Sequence, residues 1–244
     1  MTGDEERRAE LTAGLAQVRA RIADACTRAG RSRGEVTLVA VTKTYPAADV
    51  VRLAQLGVTD IGENRDQEAA PKAAEVAAAG ATVRWHFVGH LQRNKCRSVV
   101  RYADVVQSVD SLRLAGALGD AAGHLRDRPL DVLVQVSIDG DPRRGGALAT
   151  PDAEPDRSLA RIADVVAGRP ELRLAGVMAI APLDWRPVDA FTRLAEVAAG
   201  LRAEHPGATA MSAGMSEDME AAIAAGATHV RVGSALLGKR PDLG

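Results

Sequence analysis

Several things are scarce in this sequence, and each scarcity removes a class of protein. Two cysteines among 244 residues, Cys26 and Cys96, cannot make a disulfide framework and fit a reducing compartment. No run approaches the roughly 18 apolar residues of a membrane span. The opening Met1-Thr2-Gly3-Asp4-Glu5-Glu6-Arg7-Arg8 is charged and lacks the apolar core of a signal peptide. Neither sign of charge is in excess: 31 basic against 32 acidic residues leave −1, and nothing in that balance calls for nucleic acid or a membrane surface. A cytoplasmic protein is expected. Lysine is scarcer still, with only Lys43, Lys72, Lys95 and Lys239, while arginine carries nearly all other positive charge.

What is present is one repeating alternation. Apolar content of 46% and charge of 26% are ordinary for a globular chain. Leu11, Leu15, Val18, Ile22 and Cys26 recur at helix spacing over residues 4–30, with Gly30 as a stop signal. An apolar run at Val36–Val41 follows, then a helix opened by Pro46 and closed by Gly57. Further strands are expected near 58–61, 83–88, 104–108, 131–138, 172–180, 208–212 and 228–232, with Ala-rich amphipathic stretches between them. Apolar strands separated by helices argue for a parallel sheet covered on its outer face. Eight such units in this length predict a single α/β domain over 1–244, a (β/α)8 TIM barrel with an extra N-terminal helix. The Gly- and Pro-containing stretch Asp139–Pro155 reads as a mobile loop.

In such barrels the working groups sit at the C-terminal ends of the strands, and phosphate binds the loops after strands seven and eight. Strand seven runs into Ser212-Ala213-Gly214-Met215-Ser216, with Ser216 a plausible helix N-cap. Strand eight runs into Gly233-Ser234. Glycine admits an anion close to backbone N–H groups, and serine adds hydroxyl donors. Lys43 ends strand one on the same rim, and the two-residue strand period puts Val39, Val41 and Lys43 on one face. A lysine there, beside loops suited to phosphate, suggests a Schiff base with pyridoxal phosphate.

Longer motifs extend this reading. Val41-Thr42-Lys43-Thr44, Gly62-Glu63-Asn64, Trp85-His86-Phe87-Val88-Gly89 and Leu91-Gln92-Arg93-Asn94-Lys95 resemble the pyridoxal-phosphate homeostasis proteins. Gly176-Val177-Met178-Ala179-Ile180, the 212–216 loop and Val230-Arg231-Val232-Gly233-Ser234 continue the resemblance collinearly from about residue 10 to 240. It implies a barrel like the N-terminal domain of alanine racemase, without that enzyme's β-rich second domain. It implies that Lys43 carries pyridoxal 5′-phosphate, that Arg231 lies near the pyridine nitrogen, and that Ser212, Gly214, Ser216, Gly233 and Ser234 contact the phosphate. Asn64, His86 and Met178 would line the pocket. Arg65, where many members have tyrosine, and Asp141-Pro142-Arg143-Arg144-Gly145-Gly146 depart from the family pattern.

Other signals lead elsewhere and are weaker. Gly233–Arg240 fits seven positions of a P-loop but puts Arg240 where Ser or Thr must hold magnesium. His86 and His90 lie roughly 13 Å apart if extended, too far to share a metal. Arg93, Lys95, Arg97 and Arg101 form a basic face without accompanying aromatics, which reads as solvated. No pair of carboxylates is spaced for acid/base work. An arginine at the ring nitrogen would weaken the electron sink, and no second acid/base group is evident. The expectation is therefore a monomer that binds and buffers pyridoxal phosphate and hands it to apo-enzymes. A weak amino-acid racemase and a phosphosugar-type barrel enzyme are the competing readings.

Overall fold

The apolar segments form eight parallel strands, each hydrogen-bonded to the next and the last to the first, in a closed barrel. They are β1 (Thr37–Val41), β2 (Asp60–Glu63), β3 (Arg84–Phe87), β4 (Val105–Val109), β5 (Leu130–Gln135), β6 (Leu172–Met178), β7 (Ala210–Ser212) and β8 (His229–Val232). The computed structural model describes residues 3–141 and 145–238. Among these the helices are α1 (Gly3–Arg28), α2 (Ala47–Gln55), α3 (Asp66–Ala78), α4 (Cys96–Tyr102), α5 (Leu112–Leu125), α6 (Leu159–Ala167), α7 (Pro187–Glu204), α8 (Met219–Ala224) and α9 (Ser234–Leu237). The expected (β/α)8 barrel and its extra N-terminal helix are both present. No described helix is long and apolar enough to cross a membrane.

Strand alternation sorts side chains into two environments. Outward residues such as Leu38, Ala40, Ile61 and Trp85, or Phe87, Val106, Val132 and Val177, pack beneath the helices in two large clusters. Inside the barrel only a small apolar cluster remains, built on Val105, Leu133 and Met178. Val39 is also buried there, and the interior is otherwise marked by polar Asp60, His86, Gln107, Ser212 and Arg231. That interior positions the site.

α1 follows from its sequence. Asp4, Glu5 and Glu6 in its first turn and Arg28 in its last complement the helix dipole. Its buried stripe of Leu11, Leu15, Val18 and Ile22 joins Met219, Ile223, Leu236 and Leu237 of α8 and α9. Each such side chain contributes about 1.5–3 kcal/mol by burial. Gly14 allows the close approach: a Cβ there would lie 2.4 Å from the Leu236 carbonyl oxygen. α1 therefore braces the helices that follow β7 and β8.

Three expectations change. β1 ends at Val41, so Lys43 sits in the following turn and the strand period no longer sets its direction. The loop after β5 is tied at its base, by bridges pairing Val136 with Ala147 and Leu148 with Ser158, and by Arg157 donating to the Gly146 carbonyl at 2.6 Å. These bonds anchor its described flanks where composition suggested a mobile segment. Part of the divergent 141–146 motif, and Lys239 and Arg240 of the P-loop-like run, lie outside the described residues. Finally, Ser216 is not the N-cap of α8. A turn intervenes, and Asp218 takes that position, accepting from the Met215 N–H at 2.6 Å.

Candidate functional site

The chain around Lys43 is held on both sides. Thr42 donates its hydroxyl to Glu63 Oε1 at 2.6 Å. Lys72 Nζ donates to the same oxygen at 2.6 Å and to the Thr42 carbonyl at 2.8 Å. Glu63 and Lys72 are both buried, so an ion pair shielded from water fixes the residue before Lys43. Burial pushes the Glu63 carboxyl up, and the Lys72 charge opposes it. On the other side, the Thr44 N–H donates to Glu68 at 3.3 Å. Thr44 has φ of 71°, the sole positive value for a non-glycine residue among those described. For a β-branched residue this conformation costs on the order of 1–3 kcal/mol and must be imposed by its surroundings. Lys43 itself is half-buried in this turn.

The loops after β7 and β8 meet at the same end of the barrel. Gly214 has φ of 88°, and a Cβ there would lie 2.6 Å from Ala222 Cβ and 2.9 Å from Met219 Cα. Only glycine lets that loop fold onto α8. Ser216 Oγ lies 3.3 Å from Ser234 Oγ and accepts from the Ala235 N–H at 3.4 Å. Arg21 of α1 donates to the Ser216 carbonyl at 2.8 Å. Gly233 abuts β1, its Cβ position 3.3 Å from the Val41 carbonyl oxygen. Tyr45, two residues beyond Lys43, donates its hydroxyl to the Gly238 carbonyl just past α9 at 2.8 Å. The lysine turn and the serine loops are thus one bonded unit.

Beneath them a directed chain of hydrogen bonds crosses the barrel. Arg231 Nη1 donates to Ser212 Oγ at 2.8 Å, and Nη2 donates to the Ala179 carbonyl at 2.9 Å. Ser212 donates to Gln107 Oε1 at 2.7 Å. The Gln107 amide nitrogen must then donate to His86 Nδ1, 2.8 Å away. That leaves the ring proton on Nε2, which donates to Asp60 Oδ1 at 2.8 Å. Burial pulls the Arg231 guanidinium down to about 10. Burial alone would raise the Asp60 carboxyl, but hydrogen bonds from His86 and Thr59 outweigh it and hold the group below its ordinary value.

The residues singled out from sequence therefore divide by depth. Lys43, Asn64, Gly214, Ser216 and Gly233 lie in the loops at the C-terminal ends of β1, β2, β7 and β8, and Ser234 opens α9 beside them. His86, Met178, Ser212 and Arg231 lie inside the barrel, the Ser212 hydroxyl engaged by Gln107 and Arg231. Arg65 is an exposed rim residue paired with Glu68. Among the described residues, no group of histidine, cysteine and carboxylate side chains is arranged to hold a metal. Sequence reading missed Asp60, Gln107 and Lys72. The available signal for the first two was a polar residue at an inward position of a strand, since Gln107 interrupts Val105-Val106 and Val109.

The whole chain has close relatives. Residues 14–241 match the family described as alanine racemase, N-terminal domain. A protein of Mycobacterium tuberculosis named pyridoxal phosphate homeostasis protein is 46% identical over 248 residues, covering 96% of this chain and 95% of that one. The structure of PipY from Synechococcus elongatus with PLP bound superposes with a TM-score of 0.74 at 32% identity, covering 93% of this chain and 100% of that one. Alanine racemase of Clostridium difficile shares the fold, with a TM-score of 0.67 at 17% identity, covering 96% of this chain but 58% of the racemase. The barrel here thus matches little more than half of that enzyme, and by length, fold and sequence the chain belongs to the pyridoxal phosphate homeostasis proteins, built on the alanine racemase N-terminal domain.

Proposed function

We propose that this protein binds and buffers pyridoxal 5′-phosphate and releases it to apo-enzymes that need it. The observation that carries the reading is the bonded unit of the Lys43 turn and the Ser216–Ser234 loops, joined through Tyr45 and Gly238. The cofactor supplies an aldehyde that a lysine amine can attack and an electron-withdrawing pyridine ring. Lys43 is the covalent anchor, presented by a turn that Glu63, Lys72 and Thr44 hold in one conformation. Ser216, Ser234 and the backbone at Gly214, Gly233 and Ala235 cradle the phosphate dianion. Arg231 would meet the ring nitrogen, and Ser212, Gln107, His86 and Asp60 fix the arginine's position. Asn64 and Met178 complete the walls.

A guanidinium beside the ring nitrogen disfavours a protonated ring and weakens the electron sink that racemases and transaminases exploit. The reading therefore includes little or no turnover, operation as a monomer and a cytoplasmic setting. The bound PLP of the PipY structure and the name of the mycobacterial relative support the cofactor.

Borohydride reduction followed by peptide mass mapping tests the anchor. A phosphopyridoxyl mass on Lys43, and colourless but folded Lys43→Ala protein, are expected. Label on Lys72, Lys95 or Lys239 would refute the assignment. Robust amino-acid racemisation lost in Lys43→Ala would replace buffering with catalysis.

A further inference from the structure

The opposite end of the barrel carries a recess that the reading above does not use. A cavity of about 590 Å³ opens between the N-terminal ends of β3 to β6, lined by Arg84, Arg126, Arg128 and Arg173 with Asp104 and Asp131. A second cavity of about 240 Å³ shares Arg84, Asp131 and Arg173 as its wall and continues toward His229 at the foot of β8. Four guanidinium groups thus face two carboxylates, in a chain whose net charge is only −1.

Partner counting shows where the excess lies. Asp131 is shared: Arg173 reaches it through Nε and Nη2, each at 2.5 Å, and Arg84 pairs with it as well. One carboxylate there meets two cations. Arg128 pairs with Asp104 at 2.6 Å, and Asp104 also accepts from the Trp85 N–H at 3.0 Å. Arg126 is half-buried, and its hydrogen bonds run to the carbonyls of Val100, Ala103 and Arg128. Asp127 also acts on Arg126, so the recess keeps an excess of one positive charge, carried on largely exposed guanidinium groups along a concave wall.

We infer that this recess is an anion-binding site for a compact phosphorylated small molecule, separate from the Lys43 rim. Guanidinium groups present paired N–H donors that match phosphate oxygens, and a phosphate anion would meet the excess positive charge. The volume suits a small ligand. No Phe, Tyr or Trp side chain lines either cavity to stack a base, which argues against single-stranded nucleic acid as the occupant.

Calorimetric titration of inorganic pyrophosphate into the full chain, loaded with one equivalent of pyridoxal phosphate for the upper loops and desalted, tests this. Arg128→Glu and Arg173→Gln alter side chains that are 72% and 68% exposed, so the fold should survive. Arg8→Glu on the exposed face of α1 makes the same net-charge change as Arg128→Glu at a distance. We expect one saturable site, weakened at least tenfold by either recess variant and unchanged by Arg8→Glu. Absence of saturable binding would overturn the inference, as would equal weakening in all three variants. Tighter binding of a short single-stranded oligonucleotide than of pyrophosphate would also overturn it. The dependence on Arg128 and Arg173 is read whether or not the upper loops hold pyridoxal phosphate, so this test and the preceding one can fail separately.

Discussion

Arg231 donates to the Ser212 hydroxyl at 2.8 Å while both side chains are sealed inside the barrel. A buried guanidinium is tolerable only if its donors are met, and here a hydroxyl and a carbonyl meet two of them. Ser212 is in turn oriented by Gln107, which is oriented by His86 and Asp60. The direction in which Arg231 points is thus set by four residues on β7, β4, β3 and β2.

Ser212→Ala should therefore destabilise the protein even without cofactor. It removes an acceptor from Arg231 and a donor from Gln107, together worth about 2–3 kcal/mol. Urea unfolding of the cofactor-free protein measures this. An unchanged midpoint would mean that Arg231 finds another acceptor.

Lys72→Met leaves Glu63 buried without its cation. Breaking such a pair costs on the order of 3–5 kcal/mol, whereas removing both charges together is far milder. Lys72→Met combined with Glu63→Leu should recover most of the loss. Equal melting of the single and double variants would show that the loss does not come from the unpaired Glu63 charge.

The phosphate should anchor the cofactor more strongly than the proposed Schiff base to Lys43, a link that is reversible in water. A charge-assisted hydrogen bond contributes about 1.5–3 kcal/mol, so Ser234→Ala should weaken binding roughly tenfold or more. Pyridoxal lacking the phosphate should bind far more weakly than pyridoxal phosphate. Absorbance titrations of both forms decide it, and equal affinities would remove the role of the 212–216 and 233–235 loops.

Burial, followed by the neighbouring His86, holds the His229 imidazole down to about 4. In the unfolded chain it titrates near 6.5. Between those values the unfolded state binds the extra proton, so stability is complete above about pH 6.5 and falls as pH drops toward 4. The loss should be on the order of 2–3 kcal/mol. The Asp60 carboxyl lies below its ordinary value, so its own contribution disappears only at lower pH. Urea midpoints at pH 4.5 and 6.5 should differ for the native protein and much less for His229→Gln. A slope retained in full by the variant would assign the effect elsewhere.

Sequence pattern alone determined the barrel. The placement of α1, of eight strands to within a few residues and of the Lys43, 212–216 and 233–234 loops at one end follows from local rules. Apolar runs, helical spacing and glycine positions act over a few residues, so the sequence displays them directly. Tertiary structure decided what those rules cannot reach. Asp60, His86, Gln107, Ser212 and Arg231 come from five different strands, and the Gln107–Ser212 contact spans 105 positions. The sequence singled out Lys72 only as one of four lysines, and α3 places it under the Lys43 loop beside Glu63. Ser216 looked like a cap, but the turn at 216–218 gave that place to Asp218 and left Ser216 facing Ser234. The Gln107–Ser212 contact needs closure of the barrel, whereas Lys72 and Ser216 were decided by how a helix and a turn orient side chains only nine and two residues from Glu63 and Asp218.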